Sequence, residues 1–223
     1  MFKTILFSLI ALLGMSFTSY AYGQSAPEIV WKNYDHIDPF HLVPDAPLKK
    51  AIQYFDRYKD RIPNRDYLTI VDFTPKSTAK RFYLIDMRSG KVESYLVAHG
   101  EGSDPQKTGY TSLFSNIENS FMSSLGFYIT TKDVFDGKNG ISLRLKGIEK
   151  TNDQAMKRAI LVHGGDYVKN GLNPLGWSQG CFVLDHQYAG DVINKIAGGS
   201  IIYAWIDPQL LGEKVNGVQT IIR

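Results

Sequence analysis

Residues 160–184 read ILVHGGDYVKNGLNPLGWSQGCFVL, two short apolar segments separated by a loop rich in glycine, asparagine and proline. The first segment ends at His163 and turns on Gly164 and Gly165, and the second begins at Cys181. Short runs of Ile, Leu, Val and Phe bounded by turn residues are typical of β-strands. This stretch therefore predicts a β-rich fold in which the histidine and the cysteine meet if the two strands are neighbours.

The rest of the chain repeats the pattern of short strands. Segments rich in Tyr, Ile, Val and Phe predict strands at residues 67–73, 81–87, 92–98, 127–131, 142–146, 159–163, 181–184 and 201–205. Strands dominate and βαβ alternation is weak, which favours a mainly β fold: a largely antiparallel, sandwich-like or barrel-like sheet with a few flanking helices. Gly, Ser and Asn are frequent in residues 100–126, which predicts a loop there.

Three segments predict helices. Apolar residues recur at helical spacing over residues 48–62, after an N-cap at Asp45 and before Pro63. Residues 186–196 predict a second helix and residues 153–157 a short third one. The charges opposite the apolar face of the first helix are mixed in sign, which favours packing on the domain over a role at a membrane surface.

The composition is that of a globular protein, because 43% of the 223 residues are hydrophobic and 21% are charged. The formal net charge is only +3. Nucleic-acid binding usually needs a concentrated basic face, so no nucleic-acid partner is expected. The chain contains a single cysteine, Cys181, and an intramolecular disulfide is therefore excluded.

The amino terminus has the pattern of a secretory signal peptide. Lys3 precedes an uncharged, mostly apolar run over residues 5–17, and Ser19-Tyr20-Ala21 gives a small-x-small cleavage pattern. The apolar run is shorter than the roughly 20 residues that span a bilayer. We therefore expect an exported protein with no membrane anchor after cleavage. The predicted organisation is a signal peptide at 1–21, an arm with the first helix at 22–66, and one domain at 67–223.

The single cysteine has a neighbourhood suited to nucleophilic catalysis. A histidine beside a cysteine can take the thiol proton, and the resulting thiolate attacks carbonyl carbons. Gly180 lets a substrate approach the backbone closely, and the amides near Gly180 and Cys181 can donate to a developing oxyanion. The simpler interpretation is a small buried residue, since free cysteines are often buried. Export places an unpaired thiol in an oxidising compartment, which favours the nucleophile.

These residues also resemble a known family. The pattern of His163, then fourteen residues, then Ser178-x-Gly180-Cys181 is similar to the signature of YkuD-like L,D-transpeptidase catalytic domains, especially the murein L,D-transpeptidase branch. The resemblance implies a periplasmic or cell-wall enzyme with Cys181 as nucleophile and His163 as general base. Its partners would be peptidoglycan stem peptides, on which the cysteine forms a thioester at diaminopimelate and releases the terminal D-alanine. Further motifs agree in order at 97–103, 114–116, 123–128 and 137–140.

The resemblance assigns orienting or substrate-binding roles to further residues. Gly164 follows the histidine as in the family, where a backbone carbonyl commonly orients the imidazole, and Ser178 matches the hydroxyl of the motif. Gln179 stands where the widespread form has histidine, and Val183 where it often has arginine. The motif therefore lacks the arginine that could hold a substrate carboxylate. His99 follows a strand and precedes glycines, so it either lines the site or forms structural hydrogen bonds.

Alternatives stay open at this point. Water instead of an amine on the thioester would give an L,D-carboxypeptidase or amidase, and loss of the chemistry would give a silent cell-wall-binding relative. Residues 176–180 match the G-x-S-x-G elbow of serine hydrolases, but a loop rather than a strand precedes Ser178. A sortase would share the order of His163 and Cys181, but the only later arginine is Arg223. No compact metal-ligand spacing is present, so no metal is expected. No other cofactor is implied.

Overall fold

The structure is a computed structural model in which residues 31–222 are described. The predicted signal peptide at 1–21 and the first part of the predicted arm lie outside the described residues. Between residues 31 and 222, no helix combines the length and the apolar character needed to cross a bilayer.

Strands predominate over helices in the described chain, which confirms the prediction of a mainly β protein. The strands are β1 (Tyr67–Asp72), β2 (Lys80–Asp86), β3 (Val92–Leu96), β4 (Leu113–Ser115), β5 (Gly126–Gly137), β6 (Gly140–Gly147), β7 (Leu161–Gly164), β8 (Phe182–Leu184), β9 (Ile201–Trp205), β10 (Leu211–Val215) and β11 (Val218–Ile221). The α-helices are α1 (Asp45–Tyr58) and α2 (His186–Ile196). Asp45 is the first residue of α1, so the N-cap is Pro44 rather than Asp45.

Eight strands form one mixed sheet in the order β3-β2-β1-β9-β5-β6-β7-β8. Neighbours in this sheet are antiparallel except for β1 with β9 and β7 with β8, which are parallel. Just beyond β3, the Ala98 N–H donates to the Val183 carbonyl of β8 at 3.0 Å. The two edges of the sheet meet at this bridge, which we call the seam. The sheet is therefore nearly closed, in agreement with the barrel-like prediction.

Apolar side chains cover both faces of the sheet. The main core includes Phe82, Tyr128 and the buried side of α2. A second cluster packs Ile52 and Phe55 of α1 against the opposite face of β1 and β9. A third cluster joins the seam of the sheet to the loop between β7 and β8 and consists of Leu96, Ala98, Val168, Leu175 and Val183.

A second sheet, of three strands in the order β10-β11-β4, was not predicted from the sequence. Asn216 and Gly217 join β10 to β11 with φ values of 49° and 79°, as in a type I′ hairpin turn, for which Asn-Gly is a known signal. The flanking strands have no fully buried residue and little apolar alternation. The short strand β4 acquires its geometry from pairing with β11, a long-range contact that no local pattern in residues 100–126 reveals.

Residues 151–159 form consecutive turns, so the helix predicted at 153–157 is wrong. The Asn152 side chain accepts the Glu149 N–H at 2.9 Å and donates to the Phe127 carbonyl at 2.9 Å. Side-chain bonds to the backbone of this kind compete with helical hydrogen bonds. Ala159 ends the segment with a φ of 52°, which an α-helix does not contain.

Two buried threonines provide a matched test of how polar groups support this fold. Thr130 Oγ1 donates to the Ile196 carbonyl at the end of α2 at 2.6 Å. It also accepts the N–H groups of Gly199 and Ser200, at 3.0 and 2.9 Å. Thr69 Oγ1, in contrast, is buried with no hydrogen-bond partner within the part of the chain that the structure describes.

Thr130→Val should lower the free energy of unfolding by about 2–4 kcal/mol, because it leaves buried backbone groups without a partner. Thr69→Val should be neutral or stabilising, since it removes an unsatisfied hydroxyl at nearly constant volume. Urea denaturation of both variants beside the wild type measures the two effects. Equal losses of stability in the two variants would contradict this hydrogen-bond assignment.

Candidate active site

The two predicted catalytic residues lie on adjacent parallel strands. β7 pairs with β8 so that His163 is opposite Val183, and residues directly opposite each other share a face of the sheet. Val162 and Phe182 point to the other face, because both pack in the main core. Val183 belongs to the third cluster, and Cys181 packs against that cluster. His163 and Cys181 therefore lie on the same face, offset by two positions, or about 7 Å along the strand direction.

Backbone groups just before and within β7 surround the Cys181 thiol. The sulfur accepts the Leu161 N–H at 3.4 Å, and the thiol donates to the Ala159 carbonyl at 3.7 Å. Burial raises the pKa of the Cys181 thiol, while the Leu161 N–H and the charge of Arg158 oppose this rise. The thiol is therefore protonated at neutral pH, and its attack on a carbonyl requires a base.

His163 provides a basic nitrogen on the same face. Its Nδ1 lies 2.8 Å from the Gly164 carbonyl, which can only accept, so Nδ1 carries the proton and Nε2 keeps its lone pair. Burial lowers the pKa of His163, the bond to Gly164 opposes this, and the nearby His186 lowers the pKa further. The ring is neutral at pH 7. Within residues 31–222 no hydrogen bond joins it to Cys181, a common state of catalytic pairs before substrate binds.

Ser178 braces the loop that carries the cysteine. Its hydroxyl donates to the Cys181 carbonyl at 2.8 Å and accepts the Gly180 N–H at 3.1 Å. The Gly180 N–H is therefore engaged, so the Cys181 N–H is the better backbone candidate for an oxyanion donor. Gln179 lies between these residues and is exposed to solvent.

The position of Gly180 requires glycine. Its φ is 114°, a backbone conformation that residues with a side chain rarely adopt. A Cβ at this position would lie 2.7 Å from the Met122 carbonyl oxygen and 3.0 Å from Ile160 Cδ1. The loop before the cysteine therefore packs directly against the backbone of the 120–124 segment.

His99 belongs to a buried row of polar side chains behind this loop and is 0% exposed. Arg81 Nη2 donates to His99 Nδ1 at 2.7 Å, so the His99 proton is on Nε2, 3.6 Å from Asp104 Oδ2. Asp104 Oδ2 also accepts the Trp177 indole N–H at 3.1 Å, and the His99 carbonyl accepts the Ser178 N–H at 2.9 Å. Of the two roles open to His99, this geometry favours the structural one.

The fold also brings two residues to the site that no motif in the sequence indicates. Arg158 Nη2 lies 3.1 Å from the position of a Cβ on Gly180. His186, at the start of α2, packs its ring against Gly164. Both residues lie outside the segments that match the motif, so only the folded chain makes them neighbours of the pair. In the described part of the chain, no three His, Cys, Asp or Glu side chains are grouped as a metal site.

These features define a β-rich domain with a histidine and a cysteine on adjacent strands near the seam of a nearly closed sheet. The chain belongs to the L,D-transpeptidase catalytic domain family, which it matches over residues 42–205. The match includes α1 and ends with β9. No curated protein matches the chain.

Solved structures similar to the chain are distant. An L,D-transpeptidase from Mycobacterium smegmatis is 13% identical, with a TM-score of 0.39, and the alignment covers 63% of this chain and 58% of that one. The helical cell shape determining protein Pgp2 from Campylobacter jejuni is 17% identical, with a TM-score of 0.38 and coverage of 68% and 50%. The chain thus spans half to three fifths of these proteins. The assignment rests on the family match, because such low scores add nothing to it.

Gly180→Ala should displace the loop that carries the cysteine, because the new Cβ meets the Met122 carbonyl. Gly171→Ala is the matched control, since Gly171 has a φ of 90° but no atom within 4 Å of its Cβ position. The control should lower the free energy of unfolding by only about 1–2 kcal/mol, the cost of a positive φ in a residue with a side chain. Urea denaturation should show a larger loss of unfolding free energy for Gly180→Ala. The rate at which iodoacetamide alkylates Cys181 should also change. Equal losses and equal alkylation rates would rule out the close packing.

His99→Gln should flatten the dependence of stability on pH. Burial lowers the pKa of His99 to about 4 from 6.5. Between these values the unfolded chain binds one more proton than the folded chain, so stability rises with pH. The shifted pKa of His99 changes the free energy of unfolding by about 3 kcal/mol. This stability is fully present above pH 6.5 and is lost as the pH falls toward 4. Urea denaturation from pH 4 to 7 measures the slope, with the exposed His41→Gln as control. If His99→Gln kept the wild-type slope of unfolding free energy against pH, the assignment of His99 as a buried, neutral imidazole would be wrong.

Proposed function

We propose that the protein is a peptidoglycan L,D-transpeptidase that acts through an acyl-enzyme on Cys181. The observation that carries this proposal is the parallel pairing of β7 with β8, which places His163 and Cys181 on one face of the sheet. Membership of the L,D-transpeptidase catalytic domain family supports the same reaction class. The substrate class, peptidoglycan stem peptides, is part of the proposal.

In the acylation step, the Cys181 sulfur attacks the carbonyl carbon of the diaminopimelate residue while His163 Nε2 takes the thiol proton. The Cys181 N–H donates to the oxygen that becomes negative. When the tetrahedral intermediate collapses, the C–N bond breaks and the D-alanine amine takes the proton from the imidazolium. The products are a thioester on Cys181 and free D-alanine.

In the second step, an amine of another stem peptide attacks the thioester carbon. His163 takes a proton from the attacking amine and transfers it to the departing sulfur, so that a new amide bond forms, the C–S bond breaks and the thiol is restored. Water in place of the amine would release the free acid, which is the L,D-carboxypeptidase outcome.

The other site residues hold this pair in place. The Gly164 carbonyl fixes the imidazole, and the Ser178 hydroxyl fixes the turn before the cysteine. His99 supports the same loop through its carbonyl and through Asp104. Gln179 is exposed beside the cysteine, where a substrate can contact it.

The proposed substrate agrees with the pattern at residues 1–21. Peptidoglycan lies outside the cytoplasmic membrane, so an enzyme that acts on it has to be exported. We therefore assign the mature protein to the periplasm or the cell wall.

Incubation of the protein with a disaccharide-tetrapeptide tests the proposal. Mass spectrometry should show an acyl adduct on Cys181 and release of D-alanine. Cys181→Ala should form no adduct, and His163→Ala should form it about 10²- to 10⁴-fold more slowly, the usual contribution of a general base.

Because burial lowers the pKa of His163, wild-type acylation should persist below pH 6.5.

His186→Gln is the matched control, since His186 also lies beside Gly164 but is exposed and faces Asp166. This variant should acylate at close to the wild-type rate. Absence of an adduct in the wild type would overturn the proposed function, as would full activity in Cys181→Ala. Full activity in His163→Ala would overturn the assignment of the base.

A further inference from the structure

The turns before β7, residues 151–159, bring the guanidinium group of Arg158 to the loop that precedes Cys181. Arg158 Nη2 lies 3.1 Å from the Cβ position of Gly180, the residue directly before Cys181. The next residue, Ala159, provides the carbonyl to which the Cys181 thiol donates at 3.7 Å. Arg158 therefore lies near the thiol, and its positive charge acts on the pKa of Cys181.

Backbone carbonyls hold the Arg158 side chain in one orientation. Its Nη1 donates to the Ser115 carbonyl at 3.0 Å and to Ser124 Oγ at 3.3 Å, and its Nη2 donates to the Met122 carbonyl. A guanidinium has five N–H donors. Three are engaged, so the Nε–H and one Nη2–H have no acceptor within residues 31–222.

The charge of Arg158 also has no carboxylate partner in the described chain. The ion pairs of the structure involve other residues, and neighbouring Lys157 pairs with Glu118 at 2.9 Å. Arg158 is half-buried, and burial lowers its pKa. Partly buried charges are normally paired, so a braced guanidinium with spare donors and no counter-ion is suited to binding an anionic ligand.

The donor in the proposed reaction has its only backbone carboxylate next to the bond that breaks. The leaving D-alanine is the last residue, and one residue of extended chain spans about 3.5 Å. With the scissile carbonyl at the Cys181 sulfur, this carboxylate lies within one residue length of the thiol. A planar guanidinium binds a carboxylate through two parallel N–H···O bonds, which fixes both position and orientation.

We propose that Arg158 binds the C-terminal carboxylate of the donor peptide and so restricts the enzyme to donors that end in a free acid. The proposal rests on the proposed transpeptidase function and names the residue that selects its donor. Arg158 would touch the leaving residue and place the scissile carbonyl above the sulfur. The leaving residue departs with its carboxylate once the thioester has formed, so the selection applies to acylation only.

Two donor peptides that differ at one group test the proposal on the wild-type protein. One ends in D-alanine with a free carboxylate and the other in D-alaninamide. The free acid should acylate Cys181 about 10- to 100-fold faster, the usual value of hydrogen bonds to a charged group, as measured by mass spectrometry of the adduct. Equal rates on the two donors would overturn the role of Arg158 and leave the transpeptidase function intact. No adduct from either donor would overturn the proposed function itself.

Variants then show whether the preference belongs to Arg158. Arg158→Gln should bring the ratio of the two rates close to one, and Arg158→Lys should keep a reduced preference because it retains the charge without the planar fork. Lys157→Gln removes the neighbouring positive charge and should keep the wild-type ratio. The ratio is the readout, since a change in thiol reactivity alone would slow both donors equally. A wild-type ratio in Arg158→Gln would overturn the proposal.

Discussion

The parallel pairing of β7 with β8 is the constraint on which the candidate site depends. Parallel neighbours cannot be joined by a tight turn, so the chain has to cross over between them. Residues 165–180 make this crossing as a loop, and Val168 and Leu175 bury it against the seam of the sheet. The same pairing sets the offset between His163 and Cys181. On the far side, the bridge from Ala98 to Val183 fixes β8 in place, so the cysteine enters a strand that is held on both edges.

Behind the loop that precedes Cys181, a row of buried polar side chains supplies rigidity that apolar packing alone would not. Arg81 is fully buried and donates to the carbonyls of Val97 and Pro75 as well as to His99. Burial by itself would raise the pKa of Asp104, but its hydrogen bonds hold it well below its usual range. Groups paired in this way at low dielectric interact strongly and resist displacement. Trp177 and Ser178 are attached to this row, so the turn before the cysteine has a fixed geometry.

Predictions from the sequence are confirmed where a local pattern coincides with a local structure. The helix predicted over residues 186–196 is α2 with the bounds observed, and the apolar segments predicted every strand of the large sheet. Predictions fail where tertiary contacts decide. Residues 153–157 have helical composition, but bonds from Asn152 impose turns there, and β4 exists only because β11 pairs with it. In the site, the location of His163 and Cys181 on neighbouring strands was predictable, whereas the approach of Arg158 depends on how the 151–159 turns pack.

The departure from the motif at Val183 has a physical explanation in this fold. Val183 is 0% exposed and packs in the third cluster with Leu96 and Leu175. An arginine at this position would place an unpaired charge in an apolar cluster, at a cost of several kcal/mol. The proposed reaction still calls for a cation at the donor carboxylate, and Arg158 reaches the loop before Cys181 from another segment. In this proposal the turn before β7 supplies the charge, so the seam of the sheet can stay apolar.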